Sequence, residues 1–144
     1  MEKRKAQLFL VFLVGKLLLQ FFSLHPGYDL HRDEFLHLNF ADHLAWGYFS
    51  VPPFIAGVAY LIKLLGNDPF WVHLFPALAG CLTLYWVWKW VEEESGDLYA
   101  LCLAGVLVLF SPLLRINGLF QPNSFDILFW TGTYYYLSKY FRSL

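Results

Sequence analysis

Apolar runs alternate with short polar breaks along the whole chain, and the lengths of the runs separate spanning from non-spanning segments. Crossing the hydrocarbon core takes about 20 predominantly apolar residues, or a few fewer. Residues 8–24, 70–91, 98–114 and 125–141 meet that length, with "EEESGD" and "RINGLFQPNS" separating the last three. A further run, 54–66, is shorter, contains Lys63, and is joined to the next by only "NDP", a cramped turn between two spanning helices. It is expected to lie at the interface or to insert partly. The pattern therefore predicts an all-α integral membrane fold with four transmembrane helices and an outer loop, 25–66, carrying juxtamembrane helices. No internal repeat or flexible linker divides the 144 residues, so they read as one domain or part of one.

The distribution of basic residues orients this arrangement. Lys and Arg near helix ends are retained on the cytoplasmic side. With four spans, Lys3, Arg4, Lys5, Lys89, Lys139 and Arg142 fall inside, and Arg32, Lys63 and Arg115 outside. If 54–66 also spanned, the bias would nearly vanish, so four spans are preferred. The N-terminus is then cytoplasmic, and the loops 25–53 and 115–124 face the extracytoplasmic side of a cell (inner) membrane, in a multi-pass protein. The basic start resembles that of a signal peptide, but no small-residue cleavage site follows, so the first run is expected to be retained.

The stretch "HRDEFLHLNFADHLAWGYFSVPP" breaks the apolar pattern. A helix is expected over 33–46, with Asp29 or Asp33 as N-cap and Gly47 suited to the C-cap. At about 100° per residue, Asp33, Glu34 and His37 share one arc, while Asn39, Asp42 and His43 occupy another. A surface-lying amphipathic helix would show a single polar face. Two polar arcs instead predict one side against water and the other against protein or an enclosed polar cavity. Acidic residues in a first turn favour the positive end of a helix on their own account. The same carboxylates suit a general base at a membrane surface if neighbours hold them in place. Asp33 and His37 at i, i+4 would make half of a metal site, and a pair without a third ligand is weak evidence for one. No cofactor is required by these residues, and a divalent metal stays open.

Composition narrows the function classes. At 58% hydrophobic residues and a formal charge of -1, the chain is too apolar for an ordinary soluble domain and too weakly basic for a nucleic-acid partner; membrane lipids are its surroundings. Cys81 and Cys102 sit inside apolar runs without metal or redox spacing. Lys16 falls inside the first run, where a lysine costs on the order of 2.5 to 3.5 kcal/mol and must snorkel or find a partner; Gln20 shares its face. The aromatic residues fit interfacial belts and packing, and His73 reads as a hydrogen-bonding histidine rather than a ligand.

Taken in order, "RDE", "ADHLAWGYFSVPPFIAGVAYLIKLLG", "HLFPALAGCLTLYWVWKW" and "SPLLRINGLFQPNSFDILFW" carry a family resemblance. The chain resembles the N-terminal part of the membrane-embedded C-type glycosyltransferases, in the group of protein O-mannosyltransferases and aminoarabinose lipid A transferases (glycosyltransferase family 39). It departs from them just before the double proline, where Ser50 and Val51 replace the His or acidic-Lys pair of many relatives. The resemblance implies an enzyme that moves a sugar from a polyprenyl-phosphate-linked donor to a lipid, glycan or protein acceptor on the outer face. It implies a catalytic role for Asp33, with Glu34 as second candidate, and a supporting acid at Asp126. Asp126 also nearly forms a capping box with Asn123, and Asn123 or Ser124 is the expected N-cap there. Arg115 is the leading candidate for the donor phosphate, with Arg32 and Lys63 behind it.

Family enzymes have many more than four spans, so the 144 residues are expected to be a fragment or truncated form. The rival class is a non-catalytic scaffold or assembly subunit that kept the helices and lost the chemistry. A transporter would place ionisable residues near mid-bilayer on several helices, and only Lys16 fits that.

Overall fold

The computed structural model describes residues 2–23 and 29–144. Leu24, the last residue assigned to the first span, and residues 25–28 of the outer loop lie outside the described residues. Among those described there are helices and connecting turns and no strand: α1 (Glu2–Phe22), α2 (Arg32–Asn39), a 3-10 turn (Phe40–Asp42), α3 (Pro53–Leu64), α4 (Pro69–Glu93), α5 (Leu98–Phe110), α6 (Leu113–Ile116) and α7 (Pro122–Arg142).

Two helices, α1 and α4, are long and apolar enough to cross a membrane. At 1.5 Å per residue their 21 and 25 residues reach about 31 and 37 Å, against a hydrocarbon core of about 30 Å. α7 also has 21 residues, but Asp126, Lys139, Arg142 and its tyrosines make it less apolar. The third expected span is interrupted. α5 stops at Phe110 after 13 residues, about 20 Å. Pro112 has no N–H to continue the ladder and Ser111 is extended, so Leu113–Ile116 forms a separate short helix. α3 has 12 residues, about 18 Å, and buries Ile55, Ala56, Val58, Ala59 and Ile62 against its neighbours.

The core forms where α4 packs along α7 and where α2 and α3 cap that pair. Ile55, Ala59, Ile62, Val72, Ala79, Phe120, Phe125 and Leu128 make one contiguous apolar cluster. α1 packs against α4 and α5 through Phe9 and Phe12, whose rings lie 5.4 and 5.9 Å from that of Trp88. Its outward side, with Leu10, Val11, Val14 and Leu18, is exposed, as suits a helix against lipid. Local signals set the starts. Asp68 accepts the Phe70 N–H at 2.8 Å ahead of Pro69, and Asp97 accepts the Ala100 N–H at 2.8 Å. At the opposite end of the α4–α7 pair, Glu93 accepts the Tyr135 hydroxyl at 2.6 Å and faces Lys139 at 3.8 Å, and Arg142 reaches Glu94 at 3.1 Å.

Lys16 neither snorkels to the surface nor finds a partner. It is 1% exposed, and its ammonium makes no hydrogen bond among the described residues. A missing side chain at Gly80 makes the room: a Cβ there would sit 2.7 Å from Lys16 Cε and clash with the Asn117 amide. Gln20, one turn on, donates to the Leu114 carbonyl at 3.2 Å and accepts the Gly118 N–H at 3.0 Å, fastening α1 to α6.

Candidate functional site

The start of α2 is built on a reciprocal cap. His31 is the N-cap, in place of the Asp29 or Asp33 expected from sequence; its Nδ1 accepts the Asp33 N–H at 3.3 Å. Glu34 reaches back so that Oε2 accepts the His31 N–H at 2.7 Å. The helix is also shorter than 33–46. It ends at Asn39, and after the 3-10 turn the chain is pinned by Tyr48, whose hydroxyl accepts the Ala45 N–H at 3.0 Å and donates to the His43 carbonyl at 2.8 Å. Gly47 therefore caps nothing. Glu34 and His37 turn inward, whereas Asn39, Asp42 and His43 face outward.

Glu34 does more than cap. Its other oxygen, Oε1, accepts the Phe120 N–H at 2.7 Å and lies 3.4 Å from His73 Nε2 on α4. The carboxylate is 1% exposed and joins α2, α4 and the entry to α7. Burial by itself would raise its pKa; the bonds from His73, Phe120 and His31 outweigh burial and hold it below the ordinary glutamate value of 4.5. His37 responds the other way. Burial lowers its pKa from 6.5 against the pull of Asp33 and Glu34, and its Nδ1 has no partner among the described residues.

Asp33 stands beside this staple with its side chain 37% exposed. Gln121 Nε2 donates to its Oδ2 at 3.3 Å and Arg32 Nε to its Oδ1 at 3.3 Å. Each oxygen thus carries a single side-chain donor, leaving lone pairs for an incoming hydroxyl or amine. The acid pair and the Phe120–Gln121 segment form one junction.

The remaining candidates are distributed around it. Arg115 is exposed and lines a cavity of about 430 Å³ with Gln20, Ser23, His31, Ser111 and Gly118. His31 therefore links that cavity to the Asp33 junction. Arg32 is 92% exposed and reaches Asp33. Lys63 is paired with Asp42 beside a separate cavity lined by Asp29, Asn39 and Asn67; the ammonium lowers the Asp42 pKa by direct hydrogen bonding. Asp126 does not cap. Gln121 is the N-cap of α7 and Pro122 its first residue, in place of Asn123 or Ser124, while Asp126 is exposed in a third cavity of about 320 Å³ with Asn123, Phe54, Phe125 and Phe129. Among the described residues no three of His, Cys, Asp and Glu group as metal ligands.

Two members of the junction, Gln121 and the Phe120 N–H, carry no signal of their own in the sequence; the helix start at Pro122 marks only the place. A family model described as dolichyl-phosphate-mannose-protein mannosyltransferase matches residues 50–143, about two thirds of the chain. No curated protein and no solved structure matches it. The matched segment contains His73, Arg115, Gln121 and Asp126, and Glu34 is the residue that fastens α2, which precedes it, to Phe120.

Proposed function

Because the chain belongs to the dolichyl-phosphate-mannose-protein mannosyltransferase family, we propose that it serves in glycosyl transfer at the outer face of a cell membrane, from a polyprenyl-phosphate-linked sugar to a lipid, glycan or protein acceptor. In this reading α1, α4, the α5–α6 pair and α7 cross the bilayer with the N-terminus inside, and α2 and α3 lie at the extracytoplasmic surface. Asp33 is the base. It takes the proton from the acceptor hydroxyl or amine as the acceptor atom bonds to the sugar C1 and the bond from C1 to the phosphate oxygen breaks. Arg115, with His31 beside it, offers paired donors to the phosphate charge that develops on the leaving lipid. Glu34 positions Asp33 rather than accepting a proton, since it is buried and already faces the His31 and Phe120 N–H groups and His73, whereas Asp33 is open to an acceptor. Asp126, among three aromatic rings, shapes a neighbouring pocket for sugar or acceptor.

The observation that supports this most is the junction itself: an accessible carboxylate next to a buried one, with the buried one bonded to the backbone that opens α7. The test is sugar transfer in membranes carrying the protein, supplied with labelled polyprenyl-phosphate sugars. Asp33→Asn keeps the shape of the side chain and removes the base, and transfer is expected to fall about 100-fold or more. Unchanged transfer in that variant would remove Asp33 from the chemistry. The scaffold reading draws on the same staple, because Glu34 fastens α2 to α4 and the entry to α7 without any chemistry, and it predicts no transfer by the wild-type protein.

A further inference from the structure

We infer that Gln121 is the residue that orients the Asp33 carboxylate for proton transfer; the inference rests on the role proposed above for Asp33. Gln121 is the N-cap of α7, yet its side chain makes no capping bond to its own helix. Instead Nε2 donates to Asp33 Oδ2 at 3.3 Å, across a sequence separation of 88 residues. The backbone leading into the side chain is fixed by two bonds: its own N–H donates to the Leu119 carbonyl at 2.9 Å, and the preceding Phe120 N–H donates to Glu34 at 2.7 Å. Two adjacent residues therefore grip the two adjacent acids, one through backbone and one through side chain. Only the amide nitrogen can face a carboxylate, which fixes the orientation of the Gln121 side chain. The donor Arg32 on the other oxygen is 92% exposed and loosely held, so Gln121 sets the direction of the free lone pairs.

The other titratable and charged groups near Asp33 are the N-cap His31, Arg32, Glu34 and His37 on its own helix, and His73 on α4, which faces Glu34; Asp42 and Lys63 pair at the far end of α2. Gln121 is neutral. Replacing it with Glu puts a second carboxylate against Asp33, and the two share a proton as pH falls, at which point the glutamic acid O–H restores a donor.

The test uses the full protein in membranes. In Gln121→Leu, kcat is expected to fall about 10-fold with the donor KM within about twofold of wild type. In Gln121→Glu the loss is larger at pH 7.5 and recovers past the Leu variant by about pH 5.5. A residue that merely supported the fold would give two variants with parallel pH profiles. If Gln121→Leu keeps kcat within twofold while Asp33→Asn abolishes transfer, the orienting role is wrong and the base stands. If neither substitution changes transfer, the proposed reaction fails, and the hydrogen bond is judged by thermal stability alone. Asp33→Ala and Gln121→Leu should then each lower the melting midpoint by about 2 to 3 °C, and together by no more than the larger of the two. Additive losses would overturn the contact as well.

Discussion

Replacing Glu34 by Gln tests the junction with the least change of shape. Two backbone N–H groups, of His31 and Phe120, each point at a Glu34 oxygen from 2.7 Å, and the side chain is 1% exposed. A glutamine keeps one acceptor and turns an NH₂ toward the other N–H, so one buried donor loses its partner. Leaving a buried donor unsatisfied costs about 1 to 3 kcal/mol, and exchanging a charged acceptor for a neutral one at the surviving bond costs about 1 more. Part of this is returned because a carboxylate is no longer held out of water. The net destabilisation is about 2 to 3 kcal/mol, which for a chain of this size lowers the melting midpoint by roughly 6 to 12 °C. The readout is a thiol-reactive fluorophore in detergent: Cys81 is buried and labels on unfolding, and Cys102→Ser removes the more accessible thiol. A pH series, read by intrinsic tryptophan fluorescence because thiols label too slowly in acid, gives a second signature. The folded-state pKa of Glu34 lies below its unfolded value of 4.5, so its stabilisation is present above that value and is lost as pH falls through the folded pKa. Wild type shows that acid limb and Glu34→Gln lacks it. A midpoint within about 2 °C of wild type, with the acid limb intact, would refute the staple.

Further outcomes follow from packing and burial. Gly80→Ala drives a methyl into the Asn117 amide and Lys16, and should lower the midpoint by about 3 to 10 °C, whereas Gly57→Ala on α3, with open space around it, should be neutral or raise it slightly. His37 has a folded pKa below 6.5, so it removes stability as pH falls below that value; His37→Phe, beside the Phe40 ring, should flatten the loss between pH 7 and 5.5 in melts read by intrinsic tryptophan fluorescence.

The long apolar elements are legible in the sequence because their signal is local. Length and hydropathy alone mark α1 and α4, and the short run 54–66 coincides with the 12-residue α3, whose packing into the core its length does not report. The end of α5 is masked because Leu113 and Leu114 prolong the apolar run past Pro112, where the backbone has already turned. The end of α2 is hidden because a side chain-to-backbone contact follows it: the Tyr48 hydroxyl bonds the backbone of residues 43 and 45, five and three positions away, and no propensity near Trp46 reports that. At the site, the polar break and the resemblance single out Asp33 and Glu34, but which of them is buried and which stays accessible depends on partners 86 and 88 residues away. Lys63 is drawn off by Asp42 for the same reason, since a helix-end lysine reads alike whether free or paired. Lys16 is visible as an anomaly in sequence, and the glycine that accommodates it, Gly80, is visible only in the packing.

The central claim is that α2 and the entry to α7 meet at one junction on the extracytoplasmic side. Single cysteines introduced as Asp33→Cys and Asn123→Cys, in a Cys81→Ala/Cys102→Ser background, are exposed to a membrane-impermeant maleimide in intact cells, with Glu94→Cys as the inner control. Positions 33 and 123 should both react without permeabilisation, and position 94 only after it. Protection of either outer position until the membrane is opened would place α2 and the entry to α7 on opposite sides or both within the cell, and would contradict the account.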